Sequence, residues 1–295
     1  MNFTQPGWSF ADLLLVTLSA LVGGTFVVGI LSRGVHRAEL APVWARSHGI
    51  DLDDRTAPFA RWYCTLATVT RVAGGVGGFY VGSMFDRAFG VDSSAGFGFW
   101  AWVISGWVLG AAWAEQRLPR PGERGAATVL PRSTTDYIPR GLAIAPFAAV
   151  AVTVAVAVVA LVAPVRPTPG ALQLPATPLT FIVGAVVSVM LCLLVVALRR
   201  RVVGRPQPLM ETDLLAVDDA VRASTIHHIS GAGAAAIVCI TGQLIMLQTA
   251  ATKGLPLGVR GWLPALPLVI VLFLWRFWSF RPWRVARTLT RSGVR

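Results

Sequence analysis

Long runs of apolar residues are the feature that most constrains how this chain folds. A helix needs roughly 20 apolar residues to cross the hydrocarbon core of a bilayer, and six runs reach that length, while a seventh is weaker because it contains Arg71 and many glycines. Open strand edges cannot face lipid, so the spans are expected to be helices. The predicted fold class is therefore all-α, a polytopic transmembrane helix bundle forming one domain over residues 1–295. The seven predicted spans are 10–31, 64–85, 95–114, 141–163, 179–198, 229–250 and 262–280.

Composition and charge agree with lipid as the main solvent of the chain. Only 14% of its 295 residues are charged and its mean hydropathy is +0.64, whereas about a quarter of the residues in soluble domains are charged. The net charge of +12 would suggest a nucleic-acid partner in a soluble protein. Here the basic residues lie between and after apolar runs, so the expected partners are the bilayer and anionic lipid at its inner face, and no nucleic acid.

The distribution of arginine predicts the orientation of the spans. Cytoplasmic loops carry an excess of Lys and Arg. Seven spans with the N-terminus outside place twenty of the 26 basic residues in the inner segments, four in the outer loops and two within spans. Omitting the weak span 64–85 would break this pattern. Residues 1–10 contain no basic residue, so the first run is predicted to be an uncleaved helix rather than a signal peptide. We therefore expect a multi-pass plasma-membrane protein with a cytoplasmic C-terminus.

The second predicted span carries a stripe of small and polar residues. Arg71 shares a face with several glycines, and Gly74, Gly78 and Gly82 recur at intervals of four, a spacing that lets helix backbones approach closely in lipid. The stripe is expected to face the bundle interior. Two interpretations of Arg71 stay open, because it could reach the inner interface or a neighbouring carbonyl, or it could contact a substrate or take part in gating. The expected result is that Arg71→Ala impairs function in a properly inserted protein.

The inner segment before the sixth span holds the second group of candidate residues. Asp218 and Arg222 are spaced as an i,i+4 ion pair, and residues 211–228 are predicted to form an amphipathic interfacial helix that could contact a cytoplasmic partner. His227 and His228, with Asp218 and Asp219, would suit a metal by residue type. Adjacent histidines point about 100° apart on a helix, so a solvated helix face is preferred and no metal site is predicted.

No motif for catalysis or cofactor binding occurs in the chain. It lacks the phosphate-binding loop of ATPases, a His-Glu-x-x-His pair and a Gly-x-Ser-x-Gly elbow. The three cysteines are far apart in sequence and indicate neither a disulfide framework nor a zinc site. Consequently, no enzyme activity, catalytic residue or cofactor is predicted.

One segment resembles part of a known group of proteins. Leu-Arg-Arg-Arg-Val-Val-Gly-Arg-Pro-Gln-Pro from Leu198, followed by Asp-Leu-Leu-Ala-Val-Asp-Asp-Ala-Val-Arg-Ala-Ser-Thr-Ile-His from Asp213, is similar to a segment shared by multi-pass membrane proteins of high-GC actinobacteria. That group has no assigned activity. The resemblance covers about an eighth of the chain and implies a bacterial plasma membrane.

Two functions remain in competition. The first is a permease-like subunit that moves a small molecule, powered by a separate cytoplasmic protein such as an ATPase subunit. The second is a non-transporting scaffold or regulator that docks cytoplasmic partners through its basic inner loops. A polar, water-accessible interior around Arg71 would favour the first, whereas a tightly packed apolar bundle would favour the second. An intramembrane enzyme ranks last.

Overall fold

The described part of the protein consists of seven helices. The computed structural model describes residues 37–89, 97–118, 133–162, 177–205 and 212–250, together with Val271, and all regular structure in these ranges is helical. The helices are α1 (Arg37–His48), α2 (Thr56–Phe89), α3 (Phe97–Gln116), α4 (Thr134–Tyr137), α5 (Arg140–Val162), α6 (Pro178–Val203) and α7 (Thr212–Ala250). Predicted span 10–31, and span 262–280 apart from Val271, lie outside the described residues. Val271 is helical and buried in the main apolar core.

Side-chain caps mark where two of the long helices begin. The Asp53 carboxylate accepts hydrogen bonds from the backbone N–H of Thr56 (2.7 Å) and of Arg55 (3.0 Å) at the start of α2. Thr177 caps α6 by accepting a hydrogen bond from the N–H of Thr180, and Pro178 follows as the first helical residue. Proline is favoured there because that N–H has no helical partner in any case.

Helices α2 and α3 pack with their backbones in contact. A Cβ atom built on Gly74 would overlap the backbone carbonyl of Gly106, and one on Gly78 would overlap that of Trp102. The relation is reciprocal, since a Cβ on Gly106 or Gly110 would overlap backbone of α2. The predicted close approach at the glycine series is thus present. On the other side of α2, Val69, Ala73 and Tyr80 are exposed, while Leu66 and Val76 are partly covered.

Three described helices are long and apolar enough to cross a membrane. They are α5, α6 and the part of α7 from Leu214 to Gln248. In α5 and α6 only 28% of the most apolar stretch is buried, and both helices expose large aliphatic side chains such as Ile144, Val159 and Val187. Soluble monomers rarely expose contiguous apolar surface on this scale. The outward faces of these two helices are therefore suited to lipid.

Helix α7 is the centre of the bundle. Every residue from 217 to 237 is buried, because α3, α5 and α6 pack closely around this helix and α2 and α4 also contact it. The sequence predicts that the sixth span begins at residue 229 and that residues 211–228 form a separate interfacial helix with a solvated face. That interpretation is wrong, because the helix is continuous from Thr212 and its first half is enclosed by protein.

Candidate functional site

The enclosed first half of α7 carries polar residues around its whole circumference. The buried polar side chains of this stretch are Asp218, Asp219, Arg222, Ser224, Thr225, His227, His228 and Ser230. Several of them bond to residues of other helices, which meet α7 at one end of the bundle. Farther along, the buried residues at 232, 234, 235, 236 and 237 are four alanines and one isoleucine. The interior around α7 is therefore charged and polar over residues 218–230 and apolar over residues 232–237.

The first group, here called the ion-pair cluster, consists of Glu115, Arg205, Asp218 and Arg222. The predicted i,i+4 pair is confirmed, since Arg222 Nε lies 2.9 Å from Asp218 Oδ2. Arg205 bridges two acids, because its guanidinium lies 3.0 Å from Glu115 Oε1 and also pairs with Asp218. Arg222 additionally donates to backbone carbonyls of 202, 203 and 205. These contacts join α3, the end of α6 and α7.

Asp219 and His227 join α7 to the short helix α4. The capping box at Ser133 and Asp136 fixes this single turn, which buries Tyr137. The Tyr137 hydroxyl donates to Asp219 Oδ1 at 3.2 Å, and the His227 ring nitrogen Nε2 lies 3.2 Å from the Tyr137 carbonyl. A carbonyl can only accept, so this nitrogen carries the proton. Asp218 and Asp219 therefore serve different neighbours.

Arg199 illustrates how a buried guanidinium in this bundle is satisfied. Pro146 lies within α5 and has no N–H, so the Leu142 carbonyl lacks its usual helical donor. Arg199 donates to that carbonyl at 3.0 Å, to the Ala143 carbonyl at 2.9 Å and to the Ser230 hydroxyl at 2.7 Å. Arg199, which lies just past predicted span 179–198, thus joins α5, α6 and α7.

The second group, the Arg71 cluster, consists of Tyr63, Arg71, Thr225 and His228. Arg71 is only 8% exposed, which confirms that it faces the interior. Its Nη2 donates to the Tyr63 hydroxyl at 3.4 Å, and that hydroxyl lies 3.1 Å from Thr225 Oγ1. His228 is within electrostatic reach of Arg71 and of His48 on α1. Burial lowers the pKa of the His48 imidazole. Its ring nitrogen Nδ1 lies 2.8 Å from the Trp44 carbonyl oxygen.

The candidate residues predicted from the sequence fall into three places. Gly74, Gly78 and Gly82 form the contact with α3, and Arg71 and His228 lie in one cluster. The remaining candidate residues of α7 bond to α4 and to the C-terminal end of α6. Among the described residues, no three His, Cys, Asp or Glu side chains are grouped so as to hold a metal ion. Five residues of these contacts are not predicted from the sequence, namely Tyr63, Glu115, Tyr137, Arg199 and Arg205. The available signal was their position just beyond the predicted inner ends of spans.

Comparison of the chain with family models, curated proteins and solved structures finds no match in any of the three. The actinobacterial resemblance of residues 198–233 therefore stays a prediction. The ion-pair cluster and the Arg71 cluster are therefore the features of the protein that bear on its function.

Proposed function

We propose that this chain is a permease-like membrane protein that binds and moves a small molecule, with its binding site at the polar end of the bundle. One observation carries the proposal, namely that α7 is enclosed over residues 217–237 and yet carries charged and polar side chains over 218–230. Burying a charge costs on the order of several kcal/mol per ion before pairing is counted. A scaffold held together by packing alone gains nothing from that cost. Polar groups inside a membrane bundle instead commonly mark a path for a substrate.

The proposal includes the topology expected from the sequence: seven spans, the N-terminus outside and the C-terminus in the cytoplasm. Under this topology the ion-pair cluster and the Arg71 cluster lie near the inner boundary of the membrane. The enclosed alanines of α7 then lie deeper and close the site toward the outside. A reporter fused near Val91 should read as external, and a cytoplasmic reading would refute the seven-span arrangement.

The buried first half of α7 changes one part of the expected mechanism. Residues 211–228 were expected to present a surface on which a cytoplasmic partner such as an ATPase could dock. Residues 217–228 are covered by other helices, so they offer no such surface. The proposal therefore rests on the interior of the bundle and does not require that partner.

Thiol labelling tests whether water reaches the interior, as a permease requires at some stage of its cycle. In a chain whose native cysteines are replaced, Thr225→Cys places a thiol at the polar end of α7. Ala235→Cys is the matched control, because both positions are almost completely buried, at 1% and 0% exposure. We expect a membrane-impermeant thiol reagent to modify residue 225 at least about tenfold faster, since only a site that opens admits it. Equal, negligible labelling of both positions would refute the permease proposal and favour the scaffold.

A further inference from the structure

We infer that the Arg71 cluster binds an oxyanion, that is, a carboxylate or phosphate group. The inference rests on the proposed function in that it names the chemical class of the molecule bound at the polar end. It follows from how Arg71 differs from the other enclosed arginines and from the chemistry of its neighbours.

Arg71 is the least satisfied of the enclosed arginines in the described part of the chain. Arg199 makes three hydrogen bonds of 3.0 Å or less. Arg205 and Arg222 pair with carboxylates. By contrast, the only hydrogen bond from the Arg71 side chain to another described residue is the 3.4 Å contact with Tyr63, and its Nε is buried without a hydrogen-bond partner.

A guanidinium carries a positive charge and five N–H donors, and it has no acceptor. Taking that charge out of water without a counter-charge is costly, and the same bundle shows how the cost is avoided at three other arginines. The planar fork of the guanidinium matches the two oxygens of a carboxylate or phosphate. An oxyanion ligand would supply the acceptors that Arg71 lacks among the described residues.

The neighbours of Arg71 also favour an anion over a cation. The Tyr63 hydroxyl lies 3.5 Å from the Val221 carbonyl and 3.1 Å from Thr225 Oγ1, and each of the two hydroxyls can donate or accept a hydrogen bond. The acids of the ion-pair cluster are already paired with Arg205 and Arg222. Among the described residues, no carboxylate pairs with Arg71, so its buried positive charge attracts a negatively charged group rather than a cation.

The oxyanion could belong to a water-soluble molecule or to the headgroup of an anionic lipid, because both present the same oxygens. Thermal unfolding of the purified full chain in neutral detergent distinguishes these sources. One arm adds inorganic phosphate against chloride at equal ionic strength, and the other adds phosphatidylglycerol against phosphatidylcholine. A ligand at a hundredfold its dissociation constant should raise the midpoint temperature by about 5–10 °C. A rise with phosphate supports a soluble anion, and a rise with phosphatidylglycerol alone supports a lipid headgroup.

Variants locate the effect at Arg71. Arg71→Gln should abolish the rise, and Arg71→Lys, which keeps the charge but not the fork, should reduce it. Arg200→Gln is the matched control, because it removes an exposed arginine from α6 and should leave the rise unchanged. If neither anion stabilises the wild-type protein, or if Arg71→Gln responds as the wild type does, the inference is overturned.

The two proposals can fail separately. Labelling of Thr225→Cys without any anion effect would leave the permease proposal intact and reject the oxyanion. An Arg71-dependent anion effect with residue 225 unlabelled would instead support a static anion site and reject passage through the bundle.

Discussion

Replacing Gly78 with alanine would place a methyl group against the backbone carbonyl of Trp102, where helices α2 and α3 touch. The contact is helix backbone against helix backbone, so no side-chain rotation can make room and the helices must move apart. Overpacking of this kind typically destabilises a protein by about 1–3 kcal/mol. Alanine is favoured over glycine within a helix by up to about 1 kcal/mol, which offsets part of the loss. The expected net destabilisation of Gly78→Ala is therefore about 1–2 kcal/mol.

Gly77 supplies the matched control for this prediction. It is the adjacent residue of the same helix, is exposed, and a Cβ built on it has no atom within 4 Å. Gly77→Ala should therefore leave stability unchanged or raise it by up to about 1 kcal/mol. The same chemical change is thus expected to have opposite signs at neighbouring positions. Unfolding in mixed micelles of a mild detergent and dodecyl sulfate measures both free energies.

A double-mutant cycle tests the cause of the effect. Gly74 and Gly106 face each other, and a Cβ on either would overlap the carbonyl of the other. Once one alanine has pushed the helices apart, the second should cost less, so the two losses should sum to more than the loss in the double variant. If Gly78→Ala proves as stable as Gly77→Ala, or if the two changes add fully, the backbone contact does not hold these helices together.

Two further predictions concern charged residues. Asp218→Leu should destabilise the bundle by about 3–5 kcal/mol because it leaves buried arginines without a counter-charge. Adding Arg222→Met should recover part of the lost unfolding free energy. Equal losses in the single and double variants would contradict this prediction. Hydrogen bonds donated by Thr56, and then by Arg55, hold the pKa of the Asp53 carboxyl below its ordinary value of 3.8. The contribution of the ionised carboxylate to folding stability is therefore complete above that value and is lost as the pH falls through the lower folded-state pKa. The difference in unfolding free energy between the wild type and Asp53→Asn should consequently become smaller as the pH is lowered below about 4. A difference that does not depend on pH would refute the assignment of the cap to the Asp53 carboxylate.

The helical content and the inward-facing stripe of α2 could be predicted from the sequence because both depend on local patterns. The run 64–85 shows small residues at intervals of four, and close approach to another helix follows from that spacing alone. The partner of the stripe was not predicted, although Gly106 and Gly110 show the same interval. Which two helices meet depends on the packing of the whole bundle, which the sequence of either helix does not specify.

The enclosure of α7 was mispredicted for a related reason. Asp218, Arg222 and the two histidines were assigned to a solvated face because charged residues usually contact water. A helix with water on one side should be polar on one face only, whereas adjacent residues such as Asp218 and Asp219 point about 100° apart. Polar residues on all sides were the available sign that other helices supply the partners. The identity of those partners, including Glu115 and Tyr137, follows only from the tertiary structure.

The uninterrupted length of α7 has a mechanical consequence. At 1.5 Å per residue, its 39 residues extend about 58 Å, nearly twice the roughly 30 Å of a bilayer's hydrocarbon core. A tilt or axial shift of this rod at one end is transmitted rigidly to the other, because no loop or proline along it can absorb the movement. Movement of the helix end near Ala250 would thereby also displace Asp218, Asp219 and Arg222 near the other end.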